Sequence, residues 1–103
     1  MLYHLDFRVQ YPPTMSQEEL FTIWSEEADA AMGAQKAGVV LNIWKCVGTR
    51  RVIAIVNVES SDQLDQIIMD LPIVKKLGQY VNIEVTSLRS YEDFATDLNA
   101  RKN

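Results

Sequence analysis

Residues 42–58 read NIWKCVGTRRVIAIVNV, and this stretch decides the fold. Two apolar runs rich in β-branched residues flank Gly48, Thr49 and Arg50, which is typical of a β-hairpin with a glycine-containing loop. Both faces of the two runs are largely apolar. The pattern therefore predicts a hairpin in the centre of a sheet, covered on both sides.

Positive charge is concentrated beside this hairpin loop. Lys45, Arg50 and Arg51 lie close to Trp44 in a chain whose formal net charge is -4. Trp44 is most simply a core residue, whereas a lysine among apolar neighbours is a candidate for binding an anionic group. Cys46 is better explained as a small buried residue than as a nucleophile, because no sequence feature supplies an activating base.

Composition limits the classes of protein to consider. The chain has 103 residues, 48% hydrophobic and 23% charged, which indicates one globular domain with a single core. No apolar run approaches the roughly 20 residues of a membrane span, and the N-terminus lacks the pattern of a signal peptide. A single cysteine excludes an internal disulfide framework, so we expect a reducing, cytoplasmic location and no membrane partner.

Two further classes of partner are disfavoured by the residue types present. The sequence pI is about 4.8, whereas a nucleic-acid-binding protein usually needs a basic face. One histidine, one cysteine and no clustered pair of carboxylates leave too few ligands for a metal site. We therefore expect no nucleic acid and no metal.

Residues 2–9 precede the hairpin and alternate as a half-buried strand does. His4, Asp6 and Arg8 share its polar face. This face is either solvated or the lining of a cavity. The other face is formed by Tyr3, Leu5, Phe7 and Val9.

A long helix is predicted next, over residues 17–36. Ser16 and Glu19 form a capping box, and Gly38 follows the last turn. At about 100° per residue one apolar stripe runs along this helix, with Glu27 in its middle. The apolar members of the stripe are Leu20, Ile23, Trp24, Ala31 and Ala34.

Glu27 has two interpretations, because a carboxylate facing a core costs several kcal/mol unless it is paired or protonated. It is either a buried ion-pair partner of an arginine or lysine of the sheet, or a general base whose pKa is raised by burial. Both interpretations predict that Glu27 is not on the surface.

The remaining elements follow the hairpin. Ser60 begins a second helix that ends before Pro72, residues 73–79 form a loop, and residues 80–88 alternate as a last strand. The order β-α-β-β-α-β is that of the α+β, ferredoxin-like fold, an antiparallel four-stranded sheet with both helices on one face. The other face is bare, which predicts a dimer that encloses a barrel. We assign residues 1–88 to this domain and residues 89–103 to a C-terminal helical tail.

Four blocks of sequence resemble one known family. Residues 1–9 read MLYHLDFRV, residues 43–48 IWKCVG, residues 71–73 LPI and residues 82–85 NIEV. In their order and spacing these blocks are similar to those of the muconolactone isomerase family. The resemblance implies dimeric barrels gathered into a decameric ring, no cofactor, and a proton shift in an unsaturated lactone that bears a carboxylate. It also implies that Glu27 is the glutamate of the family's first helix.

The chain departs from the family pattern around the hairpin. Asn42 stands where such enzymes commonly have histidine, and Lys45 stands where they have arginine. Lysine cannot reproduce the bidentate fork that arginine offers to a carboxylate. The polar positions after Gly48 are replaced by residues 49–52, TRRV.

Three functions are therefore considered. The first is a cofactor-free isomerase of a small unsaturated lactone or related carbonyl acid, and the second is a polyketide-type cyclase or cofactor-free oxygenase of the same barrel type. The third is a non-catalytic oligomer that binds a small ligand or holds a partner. For the isomerase, the candidate residues are Glu27 as base and His4 as proton donor, with Lys45, Arg51, Trp44, Asn42 and Tyr3 for substrate binding.

Overall fold

The computed structural model describes residues 1–102 and confirms the ferredoxin-like arrangement. Two helices that the six-element pattern does not require, α3 (Pro72–Leu77) and α4 (Tyr91–Arg101), flank the last strand. A short 3₁₀ turn over Gly78–Tyr80 leads into that strand. The elements are β1 (Leu2–Val9), α1 (Gln17–Lys36), β2 (Val40–Lys45), β3 (Arg51–Asn57), α2 (Ser61–Met69), α3 (Pro72–Leu77), β4 (Val81–Leu88) and α4 (Tyr91–Arg101).

The four strands form one antiparallel sheet in the order β2-β3-β1-β4. The hairpin is present, but β2 is an edge strand, so the prediction of a central hairpin was wrong. Strand β3 has β1 on its other side, and within residues 1–102 β2 has no second neighbour. Trp44 consequently remains 55% exposed rather than entering the core.

Strand register assigns each residue to one face of the sheet. Leu5 pairs with Ala54 and Val85, and this face packs against the helices. His4, Asp6 and their even-numbered neighbours of β1 point to the opposite face, which no helix within residues 1–102 covers.

A register shift in β2 alters the alternation expected there. Val40 pairs with Val56, whereas Asn42 pairs with Ile55, so Leu41 is the extra residue of a bulge. Val40 is buried and Leu41 is exposed. Leu41 therefore falls outside the strict alternation of an uninterrupted strand.

The helix boundaries follow from their caps. The Oγ atom of Ser16 accepts a hydrogen bond from the backbone N–H of Glu19 at 3.1 Å, and Ser60 and Ser90 cap α2 and α4 in the same way. Gly38 has a φ of 82°, a left-handed conformation that glycine adopts without strain and that lets the chain leave α1 for β2. The predicted ends of α1 and the predicted start of α2 are confirmed.

Residues 73–79 form a helix and a 3₁₀ turn rather than the expected loop. Pro72 occupies the first turn of α3, where its fixed φ and missing N–H are tolerated. The proline was interpreted only as the end of the preceding helix. Ile73 and Leu77 are buried, so α3 is part of the core and packs against α1.

The buried residues fall into two clusters on the helix side of the sheet. One gathers Tyr3, Leu5 and Leu64 with strand residues of β2 and β3. The other joins Val9 to α1 and α3. A cavity lies between the two clusters, because residues of both line it.

Helix α4 extends away from this body. The chain measures 62 × 26 × 21 Å along its principal axes, and no element within residues 1–102 packs closely on α4. Tyr91, Phe94 and Leu98 form its exposed apolar side. None of the helices described is long and apolar enough to cross a membrane.

Candidate active site

The cavity has a volume of about 350 Å³ and lies between the sheet and the helices. Small side chains make room for it: α1 crosses the sheet with an alanine-rich segment, residues 28–34, ADAAMGA. Leu5, Val52 and Ala54 line the cavity on the sheet side, and Ile67 lines it on the side of α2. A mostly apolar cavity with few polar groups is the usual form of a small-molecule site.

Glu27 is the acidic side chain of this cavity. It is half-buried, and its Oε1 atom accepts a hydrogen bond from the backbone N–H of Ile73 at 3.0 Å. No lysine, arginine or histidine within residues 1–102 forms an ion pair with it. The ion pair with a sheet cation that the first interpretation requires is thus absent from the described part of the chain.

Burial raises the pKa of Glu27 above its ordinary value of 4.5, and the hydrogen bond from Ile73 partly opposes that rise. The carboxylate is penalised because apolar walls replace water around it. A carboxyl group whose pKa moves toward neutrality is a better match to proton transfer at neutral pH.

Lys45 reaches the same cavity from the edge of the sheet. It pairs with Val52, on the helix face, and it is exposed at the cavity rim. Among the residues that line the cavity, Glu27 and Lys45 are the titratable ones. The structure therefore brings these two predicted site residues together.

Arg51 is on the other face of the sheet and is already paired. Its Nε and Nη2 atoms donate to both carboxylate oxygens of Asp6 at 2.7–3.2 Å, and Arg8 lies 3.6 Å from the same carboxylate. The hydrogen bond from Arg51 holds the pKa of Asp6 below its ordinary value of 3.8. Arg51 and Lys45, both expected to bind the substrate, thus lie on opposite faces of the sheet.

His4 shares that opposite face. It lies between Ile55 and Thr86 in the strand pairing, next to Asp6 along the strand. Within one chain it cannot act beside Glu27, because the sheet lies between the two side chains. His4 and Glu27 thus face different sides of the sheet in one chain, and the role of His4 as proton donor stays a prediction.

The remaining predicted site residues are dispersed. Asn42 and Trp44 pair with Ile55 and Ile53 on the uncovered face, and Trp44 also touches the cavity rim. Tyr3 is 6% exposed and belongs to the core. Register, not residue type, decides which of them can meet a ligand in the cavity.

Two groups that form the cavity were not identified from the sequence: the first was given another role and the second was missed. Trp24 was assigned only to the apolar stripe of α1, yet it lines the cavity. The N–H of Ile73 has no signal in the sequence, because its position depends on α3. No group of three histidine, cysteine, aspartate or glutamate side chains within residues 1–102 could hold a metal ion.

Comparison with protein-family models matches residues 1–93 to the muconolactone delta-isomerase family. The chain is 35% identical over 88 residues to muconolactone delta-isomerase 1 of Acinetobacter lwoffii, covering 85% of this chain and 88% of that protein. It is 30% identical over 97 residues to the muconolactone delta-isomerase of Acinetobacter baylyi, covering 94% of this chain and 97% of that protein.

Solved structures give the same result for the fold. A crystal structure of muconolactone isomerase matches with a TM-score of 0.74 and 27% identity, over 87% of this chain and 90% of that one. A 5-chloro-2-hydroxyhydroquinone dehydrochlorinase from Burkholderia phenoliruptrix matches with a TM-score of 0.58 and 14% identity, over 86% and 94% of the two chains. The second similarity shows the fold alone.

Proposed function

Because the chain belongs to the muconolactone delta-isomerase family, we propose that it moves a double bond in an unsaturated lactone that bears a carboxylate, muconolactone being the first candidate. The reaction is a proton shift without a cofactor, and it takes place in the cavity between the sheet and helix α1. Glu27 is the base.

One observation carries this proposal. The Glu27 carboxylate faces an apolar cavity, has no cationic partner within residues 1–102, and has a raised pKa. Burial without a counter-ion is unfavourable for a structural carboxylate but suits one that must take up and release a proton.

The proton follows a short path. Glu27 removes a proton from the carbon next to the conjugated system, which leaves an enolate, and a proton returned to a different carbon completes the double-bond shift. No electrons or atoms are exchanged with a co-reactant. Lys45, the other titratable side chain of the cavity, is assigned to the substrate carboxylate, so we assign both removal and return of the proton to Glu27.

Lys45 supplies the positive charge. An ammonium group at the rim attracts the carboxylate of the substrate and orients the ring toward Glu27. His4 and Arg51 have no part in this cavity, because they occupy the other face of the sheet.

The test is a reaction in deuterium oxide with muconolactone. Proton NMR would follow migration of the double bond and entry of deuterium at the receiving carbon. Protein that isomerises the lactone supports the proposal, and isomer in which part of the original proton is retained supports a single carboxyl shuttle. Protein that binds the lactone without exchanging its protons would exclude the proposed chemistry.

We also propose that the chain self-associates through the uncovered face of the sheet. Ile53 and Ile55 lie there beside the exposed Trp44, with Asp6 and Arg51 neutralising each other's charge. A second copy packed on this face would bury those side chains. Light scattering at micromolar concentration should give at least a dimer, and a monomer would contradict the proposal.

A further inference from the structure

A second cavity, of about 370 Å³, adjoins the first. Trp24 and Lys45 line both cavities, so these two side chains stand at the junction. The two cavities are of similar size, and together they offer about twice the room of the first alone. The remaining walls of the second cavity come from the segment after β1, from the start of α1 and from the hairpin loop, and they include Tyr11, Gln17, Phe21, Thr49 and Arg50.

Arg50 is fixed in position at this second cavity. Its Nε atom donates to the carbonyl oxygen of Val9 at 3.0 Å, and its own carbonyl oxygen accepts from the N–H of Val9 at 2.9 Å. Its guanidinium lies 5.6 Å from the centre of the Tyr11 ring, within cation–π range. The bond to Val9 uses one of the five N–H groups of the guanidinium, and no carboxylate within residues 1–102 pairs with it.

The charges of the two cavities differ. The first holds Glu27, and the second holds no acidic side chain among its lining residues but has Arg50 in addition to the shared Lys45. A carboxylate is therefore repelled by the end of the site where Glu27 lies and attracted by the end where Arg50 lies. A planar guanidinium can also offer paired donors to a carboxylate, which Lys45 cannot.

We infer that this site also takes a lactone or carbonyl acid with an extended acidic arm. The carboxylate of a short arm ends at Lys45, whereas an extended arm passes Trp24 and Lys45 into the second cavity and ends with its carboxylate at Arg50. The reacting ring occupies the first cavity, and this part rests on the proposed function. Arg50 is a specificity-determining residue: it selects the length and the charge of the arm and does not touch the carbon that loses its proton.

Binding of unreactive probes tests the inference without requiring catalysis. The probes are phenylacetate, with a short arm, and 4-phenylbutyrate, with a long arm, each compared with its uncharged primary amide by isothermal titration calorimetry. The long acid should bind roughly tenfold more tightly than its amide, as a charge-assisted hydrogen bond implies. For the short pair the preference should be weaker.

Variants assign the preference to one side chain. Arg50→Gln should abolish the preference for the long acid over its amide and leave phenylacetate binding unchanged, whereas Arg50→Lys should retain part of it. Arg101→Gln, at the exposed end of α4, removes the same charge far from both cavities and should change neither value. Circular dichroism of each variant checks that the fold is retained.

Several results would overturn the inference. These are equal affinity for the long acid and its amide, an unchanged preference in Arg50→Gln, an equal loss for short and long acids, or no measurable binding of 4-phenylbutyrate at millimolar concentration. The proposed isomerase chemistry is judged separately. If the probes bind through Arg50 but Glu27 moves no proton, the subsite stands and the chemistry fails; the reverse result retains the chemistry and removes the subsite.

Discussion

Ile73 donates its backbone N–H to the Oε1 atom of Glu27 at 3.0 Å, across 46 positions of sequence. This bond fixes one oxygen of the carboxylate. The other oxygen, Oε2, accepts no hydrogen bond from residues 1–102 and is left for a ligand in the cavity. One hydrogen bond lowers the pKa only in part, so the carboxyl group is held in place while burial still keeps its pKa raised.

Replacement of Glu27 by glutamine should abolish proton transfer without unfolding the protein. An amide accepts no proton at neutral pH, so the rate of deuterium exchange into the lactone should fall by roughly 10²-fold or more. The side-chain oxygen of glutamine can still accept from Ile73, and no buried cation is left unpaired, so the melting temperature should be equal or higher.

Glu26→Gln is a matched control for that variant. Glu26 is adjacent but exposed, and it pairs with Lys76 at the surface at 2.5 Å. Its replacement removes the same charge one position away and should leave the exchange rate unchanged. A Glu27→Gln protein that melts much earlier than wild type yet exchanges protons at the native rate would show that the role of Glu27 is structural.

The raised pKa of Glu27 also predicts how stability depends on pH. A carboxyl group whose pKa is higher in the folded than in the unfolded state stabilises the fold fully below its ordinary pKa of 4.5, and this contribution is lost as pH rises through the folded pKa. The Glu27→Gln variant has no carboxyl group at this position, so its stability does not fall in this way as pH rises. Its melting temperature relative to wild type should therefore increase from pH 4 to pH 8, and a constant difference would contradict the raised pKa.

The sequence predicted the fold well, because its signals are local. The serine caps, the glycine after α1 and the alternation of β1 each act within a few residues, and the structure has these elements at the predicted bounds. Sheet order is harder to predict from the sequence, because it depends on which strands pair across long separations in sequence. Apolar residues on both faces indicated cover on both sides, and they could not show that β2 has a neighbour on one side only.

The same limit explains the site. Glu27 was identified because a charge on an apolar helical stripe is a local anomaly, and its burial was inferred correctly. His4 and Arg51 were chosen for their chemistry, but strand register turns both to the other face of the sheet. The second cavity was missed because it depends on how the hairpin loop meets the start of α1, and no spacing in the sequence encodes that contact.

Lys45 should determine affinity rather than the chemical step. Lys45→Gln should raise the KM for a carboxylate-bearing lactone by about tenfold, the loss expected for one charge-assisted contact, and should leave its kcat nearly unchanged. Lys45→Arg should restore most of the affinity, because the charge returns. Steady-state kinetics with the lactone acid and its methyl ester measure both effects, and an equal loss for the uncharged ester would contradict a role in carboxylate binding.

Arg51 should show the opposite behaviour. Arg51→Gln removes the hydrogen bonds to Asp6 and leaves that carboxylate with only the longer contact to Arg8, so the melting temperature at neutral pH should fall. Arg51→Lys should recover only part of the loss, because lysine makes one contact where arginine makes a fork. If Arg51→Gln instead raised the KM for the lactone at unchanged stability, the assignment of Arg51 to a structural pair would be wrong.

The final prediction concerns α4, whose apolar side is uncovered within residues 1–102. Tyr91 and Phe94 contact each other edge to face at 5.6 Å between ring centres, and Arg89 pairs with Asp97, so the helix is held together by its own residues. Since no other element within residues 1–102 packs closely on α4, deletion of residues 90–103 should leave the far-UV circular dichroism of the remaining sheet and helices intact. We expect light scattering to show a smaller oligomer than the full chain forms, because the apolar side of α4 is then no longer available to contact a second copy.

A double variant, Phe94→Ser with Leu98→Ser, should have the same effect while it keeps the chain length. Unfolding of the truncated chain would show that α4 serves the fold, and an unchanged oligomer in both variants would show that α4 does not serve the assembly.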